Sequence, residues 1–322
     1  MTPGKKQPKV GIALLAYNYG KYIDEAIDSL RAQTFQDFEV LLIDDGSNDD
    51  FTAEKLKTLK YEKITRREIN KKNMGNAYRR REAYGMLRNQ YILDMSGDDK
   101  LMPEFLEKTV KYLDGHPECG AVSVNLLEYM DDFSGEPFYE YKYDAKKMRI
   151  PEMLVECHFL GSSLMRKVAL DETDLTGGFK RYLDWDKWIS MLEAGWNLGL
   201  VPEPLFCYRV HADSLSHSST AETEAEVFAQ IVKKHSSLYK KYASQVEVGL
   251  FHSLFATVRD NDEVLRENTE RKKKINDLEE EISVLKGKII DLEKELEICK
   301  RSFTNRLINK VKFLMECRRK HE

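Results

Sequence analysis

The run Tyr91-Ile92-Leu93-Asp94-Met95 stops at Ser96-Gly97 and is followed by two adjacent carboxylates, Asp98 and Asp99. A short apolar run closed by a turn signal reads as a buried strand. Two acids at its carboxyl end sit where open α/β sheets bind ligands. Like charges side by side are unfavourable unless a divalent metal, a basic side chain or ligand donors lie beside them. A second reading stays open. An aspartate pair also caps helices, and this pair precedes the helix-like Pro103-Glu104-Phe105-Leu106.

The first half of the chain alternates as a parallel sheet requires. Val10–Tyr17, Phe38–Ile43, Ile64–Ile69, Tyr91–Met95 and Ala121–Tyr129 read as strands. Lys21–Gln33, Thr52–Leu59, Asn73–Arg88 and Pro103–Leu113 read as helices, with Ile23, Ile27 and Leu30 on one face of the first. Residues 131–144 read as a hairpin or loop, and Gly161–Met165 as a short strand after a small-residue turn. Asp184–Ala194 follows as a helix, with Leu198–Val201 and Leu205–Val210 as two further strands. After a polar break at His211–Thr220 the rest is helix-like, with no proline.

Composition narrows the class. The 322 residues are 42% hydrophobic, enough for one large domain or one domain with an extension. A formal net charge of −4 gives no global case for nucleic acid as a partner. No apolar run approaches the roughly 20 residues of a membrane helix, and the polar Met1–Lys9 does not read as an export signal. The five cysteines, Cys119, Cys157, Cys207, Cys299 and Cys317, are odd in number and lack CxxC spacing. They suggest reduced thiols in a cytoplasmic protein.

Three acidic clusters fall at element ends: Asp44-Asp45, Asp98-Asp99 and Asp184-Trp185-Asp186. Between the first two lies a basic stretch, Lys63, Arg66, Arg67, Lys71, Lys72, Arg79, Arg80 and Arg81. An acid pair that holds a metal, beside cations, suits a diphosphate; most of the basic run reads as a solvated helix face. Neither GxGxxG nor GxxxxGK[ST] is present, so dinucleotide and P-loop sites are not supported.

Four segments in order resemble family 2 glycosyltransferases over residues 8–217. They are Gly11–Ile23 with Gln33-Thr34-Phe35 and Phe38–Ser47, then Ser96-Gly97-Asp98-Asp99, then Leu183–Trp188, and Pro202–His211. The resemblance implies a GT-A fold, a Rossmann-like mixed sheet flanked by helices, and an inverting hexosyltransferase fed by a nucleotide sugar. It implies nucleotide binding at Ala16, Tyr17, Asn18, Asp44, Asp45, Arg80, Gly97 and Asp98, with Tyr17 stacked on the base. It puts a divalent cation, Mn or Mg, at Asp99 with His211, and the general base at Asp184. The donor it implies is UDP-linked, with GDP and dTDP open. Two positions depart from the family pattern: Ser96 replaces the first acid of the metal motif, and Leu183 replaces the acid before the base. Plainer readings stand beside these. Tyr17 packs at the sheet edge, Asp44 shapes its turn, and His211 is an ordinary histidine. Asp186 is solvated or paired with Lys187 or Arg181, or serves as a reserve base. Trp185 lines an acceptor site and Trp188 belongs to the core.

The C-terminal region carries its own signal. Ile275, Ile282, Ile289 and Leu296 recur every seven residues, with Leu278, Leu285, Leu292 and Cys299 three residues after each. Isoleucine at a and leucine at d favour a parallel two-stranded coil. Glu281 would face Lys286 of the partner chain, and Lys288 would face Glu293. Such a coil runs about 37 Å from residue 275 to residue 299, and a trimer stays open. Residues 301–322 hold seven Lys/Arg and two Glu, with Phe303, Leu307, Val311 and Leu314 at helical spacing. This basic amphipathic helix suits either an anionic membrane surface or another protomer.

The expected organisation is a catalytic domain over 1–217, a helical connector over 218–262, a coiled coil over 263–300 and a basic helix over 301–322. The expected place is the cytoplasm, with a peripheral position on the inner membrane face left open. The expected activity is transfer of a sugar to a saccharide or lipid-linked acceptor in surface polysaccharide or glycoconjugate synthesis. Two alternatives remain: a polyprenyl-phosphate sugar synthase, and a non-catalytic coiled-coil assembly protein with a nucleotide-binding domain.

Overall fold

A computed structural model describes residues 7–176, 179, 182–211 and 220–319, with the backbone alone at 221, 260–265, 267, 289, 291–293 and 295–319. The expectations for Arg181, for the side chains of Ile289, Leu292, Leu296 and Cys299, and for the apolar and basic side chains of 301–322 therefore lie outside the described residues. Met1–Leu250 form one compact unit and Phe251–Glu322 a second.

In the first unit β1 (Val10–Ala16), α1 (Ile23–Arg31), β2 (Phe38–Asp44), α2 (Asp50–Thr58), β3 (Ile64–Ile69), α3 (Asn76–Met86) and β4 (Tyr91–Ser96) alternate as the sequence predicts. There follow β5 (Lys100–Leu101), α4 (Phe105–Gly115), β6 (Cys119–Met130), β7 (Tyr139–Tyr141), a 3-10 turn at Ala145–Lys147 and α5 (Glu152–Val155). Next come β8 (Leu164–Arg166), α6 (Lys167–Glu172), α7 (Leu183–Glu193), β9 (Asn197–Val210), α8 (Ala221–Lys234) and α9 (Ser236–Lys241). The helix α10 runs from Ala243 to Arg319.

Among the described residues the strands form one mixed sheet in the order β3-β2-β1-β4-β8-β6-β9-β5, with β7 beside β6. β3, β2, β1 and β4 are mutually parallel. β8 runs antiparallel to β4 and β6. Alternation along each strand divides the core into two layers. Val10, Ile12, Leu14, Tyr91, Leu93 and Met95 join α1 and α4 on one face, where Ile23, Ile27, Leu30, Phe105, Leu106 and Val110 are buried. Ala13, Leu15, Leu41, Ile43 and Ile92 join Ala83 and Tyr84 of α3 and Trp188, Ile189 and Met191 of α7 on the other. Trp188 is fully buried in that layer.

Two sequence expectations change. Leu198–Val201 and Leu205–Val210 are parts of the single strand β9. Pro202 and Pro204 lack the N–H a ladder needs, and the register against β6 shifts around Asn125 to accommodate them. Nor do Asp98 and Asp99 cap the following helix: β5 intervenes, and the N-cap of α4 is Glu104, without a side-chain bond. No helix among the described residues is long and apolar enough to cross a membrane.

Candidate active site

Parallel pairing of β1 and β2 brings Ala16 beside Asp44, and the Asp45 amide donates to the Ala16 carbonyl at 2.9 Å. The two loops beyond are fastened to each other. Asn18, in the left-handed region at φ 59°, donates from its amide to Ser47 Oγ at 2.9 Å. Its side chain exchanges hydrogen bonds with Asn48 at 2.8 and 3.0 Å. Asp44 Oδ1 accepts from the Ser47 amide and hydroxyl at 3.0 and 2.6 Å, so this carboxylate shapes the turn. Its Oδ2 is buried without a partner among the described residues. Gly46 holds φ 71°, and a Cβ there would lie 2.5 Å from the Lys72 backbone, so only glycine fits.

Asp45 is clamped. It accepts from the Met74 and Gly75 amides at 2.9 and 2.8 Å and from Arg79 Nε at 2.7 Å. A carboxylate offers about four acceptor positions, so little capacity remains for a ligand. Half-buried Tyr17 makes no hydrogen bond or ring contact with any described residue.

At the end of β4 the Gly97 amide donates to the Leu15 carbonyl at 2.7 Å, and a Cβ on Gly97 would come within 2.8 Å of Ile23. This close approach buries Asp98 and Asp99. His211 Nε2 lies 3.2 Å from Asp98 Oδ2, and its ring packs beside those of Tyr19 and Tyr22, with centroids 6.0 and 5.1 Å away. Arg209 is the organiser that sequence reading missed. Its amide donates to Asp99 Oδ1 at 3.1 Å and its Nε to the Asp98 carbonyl at 2.8 Å. Its remaining nitrogens reach the Asp131 carbonyl and, at 3.0 Å, Glu25. Burial, then the Asp98 charge, holds the Asp99 carboxyl well above the usual carboxylate range. Burial, then Asp98, also pushes the Tyr19 hydroxyl up.

The acid pair fits a hard cation. Asp98 Oδ1 is buried without a hydrogen-bond partner among the described residues, and the pair is electrostatically unfavourable by itself. Among the described residues no three His, Cys, Asp or Glu side chains converge to chelate an ion unaided. Mg2+ and similar ions take carboxylates plus waters and substrate phosphates, which needs no third protein acid.

Leu183 is buried in the core, and Asp184 opens α7 half-buried. Asp184 makes no hydrogen bond or ion pair with a described residue. A Cβ on Gly161 would lie 3.0 Å from its Oδ2. The Asp184 charge nonetheless reaches Tyr84, Lys187, Tyr143 and Cys157, whose thiol is pushed up by burial and then by Asp184. Burial alone would lower Arg80, but the fields of Asp94, Tyr84, Asp184 and Asp99 outweigh it and hold its guanidinium above the usual range.

Several side chains are not where the sequence suggested. Arg79 and Arg80 are not on a solvated face: Arg79 is buried on Asp45, and Arg80 Nη1 lies 3.4 Å from Asp94 Oδ1. Arg66, Lys71 and Lys72 are solvated. Asp186 is neither solvated nor bound to Lys187, and it is no reserve base. It is fully buried between Lys234 Nζ at 2.8 Å and His235 Nε2 at 2.9 Å. Lys187 pairs with Asp94 instead. Trp185 donates from Nε1 to the Met153 carbonyl at 2.6 Å. The signal for the Asp94 site was present: a charged residue inside a buried apolar run requires a partner.

A mixed sheet of this order, with acid pairs at its strand ends and a lone carboxylate at the start of α7, defines a glycosyltransferase domain of GT-A type. Residues 12–175 match the family model of Glycosyl transferase family 2, and the chain belongs to that family. Residues 280–302 match the Viral A-type inclusion protein repeat. An uncharacterized glycosyltransferase, MJ1057 of Methanocaldococcus jannaschii, is 27% identical over 63% of this chain and 71% of its own. The O-antigen biosynthesis glycosyltransferase WbnJ of Escherichia coli is 27% identical over 70% of this chain and 90% of its own. Residues 1–349 of S. aureus TarS, in complex with UDP-GlcNAc, superpose with a TM-score of 0.51 at 16% identity. That match covers 66% of this chain and 62% of the TarS chain, and it shows the fold.

Proposed function

We propose that this enzyme transfers a sugar, with inversion, from a UDP-linked donor to a hydroxyl of a saccharide or lipid-linked acceptor, in the assembly of a surface polysaccharide or glycoconjugate. The name of the E. coli relative places that protein in O-antigen synthesis, and the acceptor class is carried from it. The observation that supports the reading is the buried Asp98–Asp99 pair at the end of β4, with Asp98 Oδ1 lacking a partner among the described residues, in a chain that matches the family 2 model.

Tyr17 is the ring for the base, and the Asn18–Ser47 and Asp45–Arg79 bonds hold the surrounding loops in place before the donor arrives. Asp99 and His211 would hold Mn2+ or Mg2+, whose positive charge would act against the diphosphate, with Asp98 left to the ribose. Arg80, held on Asp94, would add a fixed cation for the nucleotide, and fixed charge in a site that excludes water is effective in catalysis. The acceptor oxygen forms a bond to the anomeric carbon as the bond from that carbon to the diphosphate breaks. The diphosphate leaves with the electron pair, and Asp184 takes the acceptor proton.

The test is release of nucleoside diphosphate from UDP-glucose, UDP-galactose, UDP-N-acetylglucosamine and GDP-mannose, with Mn2+ or with EDTA. Wild-type protein is expected to show slow hydrolysis of at least one donor that EDTA abolishes. Asp184→Asn is expected to lose about 10²–10⁴-fold in turnover while still binding UDP. Full turnover by Asp184→Asn removes it as the base, and absence of binding to every nucleotide in calorimetry ends the reading.

A further inference from the structure

The residues of β4 alternate between the two core layers, and Asp94 falls on the α3–α7 side as a fully buried acid. Its Oδ2 accepts from Lys187 Nζ at 3.1 Å and from the Tyr84 hydroxyl, and Lys187 Nζ lies 3.1 Å from the same hydroxyl. The side chains of Asp94 and Lys187 are both 0% exposed. Arg80 closes the group at 3.4 Å, its Nε buried without a partner among the described residues. Burial alone would raise Asp94, but Arg80, Lys187 and Tyr84 outweigh it and keep the carboxylate ionised.

The placement is pointed. Asp94 is on β4, which ends at Ser96, two residues before the Asp98–Asp99 pair. Lys187 is on the helix that starts with the candidate base, and it lies one turn after Asp184 on the same side. The apolar contacts of α7, through Trp188, Ile189 and Met191, are not directional. They would tolerate a small slide or roll of the helix on the sheet. An ion pair whose carboxylate oxygen also accepts from a hydroxyl does not. Apolar residues of the same volume would fill this space without the desolvation penalty, and for stability alone such replacements are often neutral or better.

We propose that Asp94, Lys187 and Tyr84 are a positioning device that registers the first turn of α7, and so Asp184, against the Asp98–Asp99 turn. The proposal rests on Asp184 as base and deepens that reading of the site. The three side chains act through Asp184 and touch no substrate themselves.

The test compares wild type with Asp94→Leu/Lys187→Leu and with Tyr84→Phe. Melting temperature, UDP affinity with Mn2+ and steady-state turnover of the donor that wild type hydrolyses are measured for each. The double variant is expected to melt below wild type, because Arg80 loses its carboxylate partner, but to stay folded at the assay temperature and to bind UDP within about threefold. Its kcat is expected to fall about 10²-fold, as a misplacement near 1 Å does, with little change in KM. A folded double variant with wild-type kcat, or a loss confined to KM, overturns the device. If the double variant does not fold, Tyr84→Phe decides. A drop in kcat of about tenfold at constant KM supports the device, and unchanged kcat overturns it. Failure of the base assignment reads differently. Wild type without donor turnover, or a fully active Asp184→Asn, removes the functional reading and the device with it. An inactive Asp184→Asn beside a fully active double variant removes the device alone.

Discussion

Glycine at position 161 sets how freely the Asp184 carboxylate sits. An added Cβ would lie 3.0 Å from Oδ2, closer than ordinary van der Waals contact, so either the carboxylate or the loop must give by a few tenths of an ångström. The backbone there needs no left-handed conformation, so alanine introduces no backbone strain. Gly161→Ala is therefore expected to melt close to wild type and bind UDP normally. Its kcat should fall about tenfold, because general-base efficiency depends on hydrogen-bond reach to the acceptor. Steady-state kinetics on the donor that wild type turns over, beside a thermal melt, checks this. A variant with normal kcat would show that Asp184 has slack in its seat. Arg209 is the contrasting case at this scale. It meets Asp99 through its amide and the Asp98 carbonyl through its guanidinium, so it shapes the acid turn rather than facing a ligand.

Among the elements, α7 is gripped from two sides. Lys187 ties it to β4, while Asp186, one residue earlier, ties it to α8 and α9 through Lys234 and His235. Adjacent residues on a helix point about 100° apart, which is why one side chain faces the sheet and the other faces the later helices. Asp186 is fully buried, and Asp186→Asn leaves Lys234 and His235 with a neutral partner. Breaking a buried pair in this way costs about 3 kcal/mol, and denaturant unfolding measures it. Turnover per folded molecule should persist, in contrast to Asp184→Asn two residues away. Apart from the two-residue β5, the strands and helices up to α4 were legible in the sequence because apolar runs alternate with helical periods and β1, β2 and β4 are followed by acids or turn residues. The partners were not legible. Arg79 closes on Asp45 across 34 positions and Lys187 on Asp94 across 93, and spacing along the chain carries no information about such contacts. Nor did Pro202 and Pro204 announce that β9 continues through them, because the register shift that accommodates them belongs to the pairing with β6.

On the scale of the whole molecule, the second unit presents an exposed apolar stripe along its described residues. Ile275, Leu278, Ile282 and Leu285 are 55%, 48%, 50% and 50% exposed. They occupy consecutive a and d positions of the heptad. Charged pairs Glu281–Lys286 and Lys288–Glu293 flank them in the sense that attracts across a parallel, in-register dimer. We propose that two copies of the chain pair along residues 275–299. Ile282→Lys/Leu285→Lys removes two apolar side chains per chain and four per dimer. At roughly 1.5 kcal/mol for each side chain the loss is about 6 kcal/mol, or about 10⁴-fold in dissociation constant. Like charges facing each other across the seam add to it. The variant is expected to run as a monomer in light scattering at micromolar concentration while wild type has twice the chain mass. Donor turnover should be unchanged, because every residue placed in the active site lies before Leu250, within the first compact unit. A wild-type mass of three chains would keep the coil and reject the two-stranded choice, whereas a monomeric wild type would reject the coil.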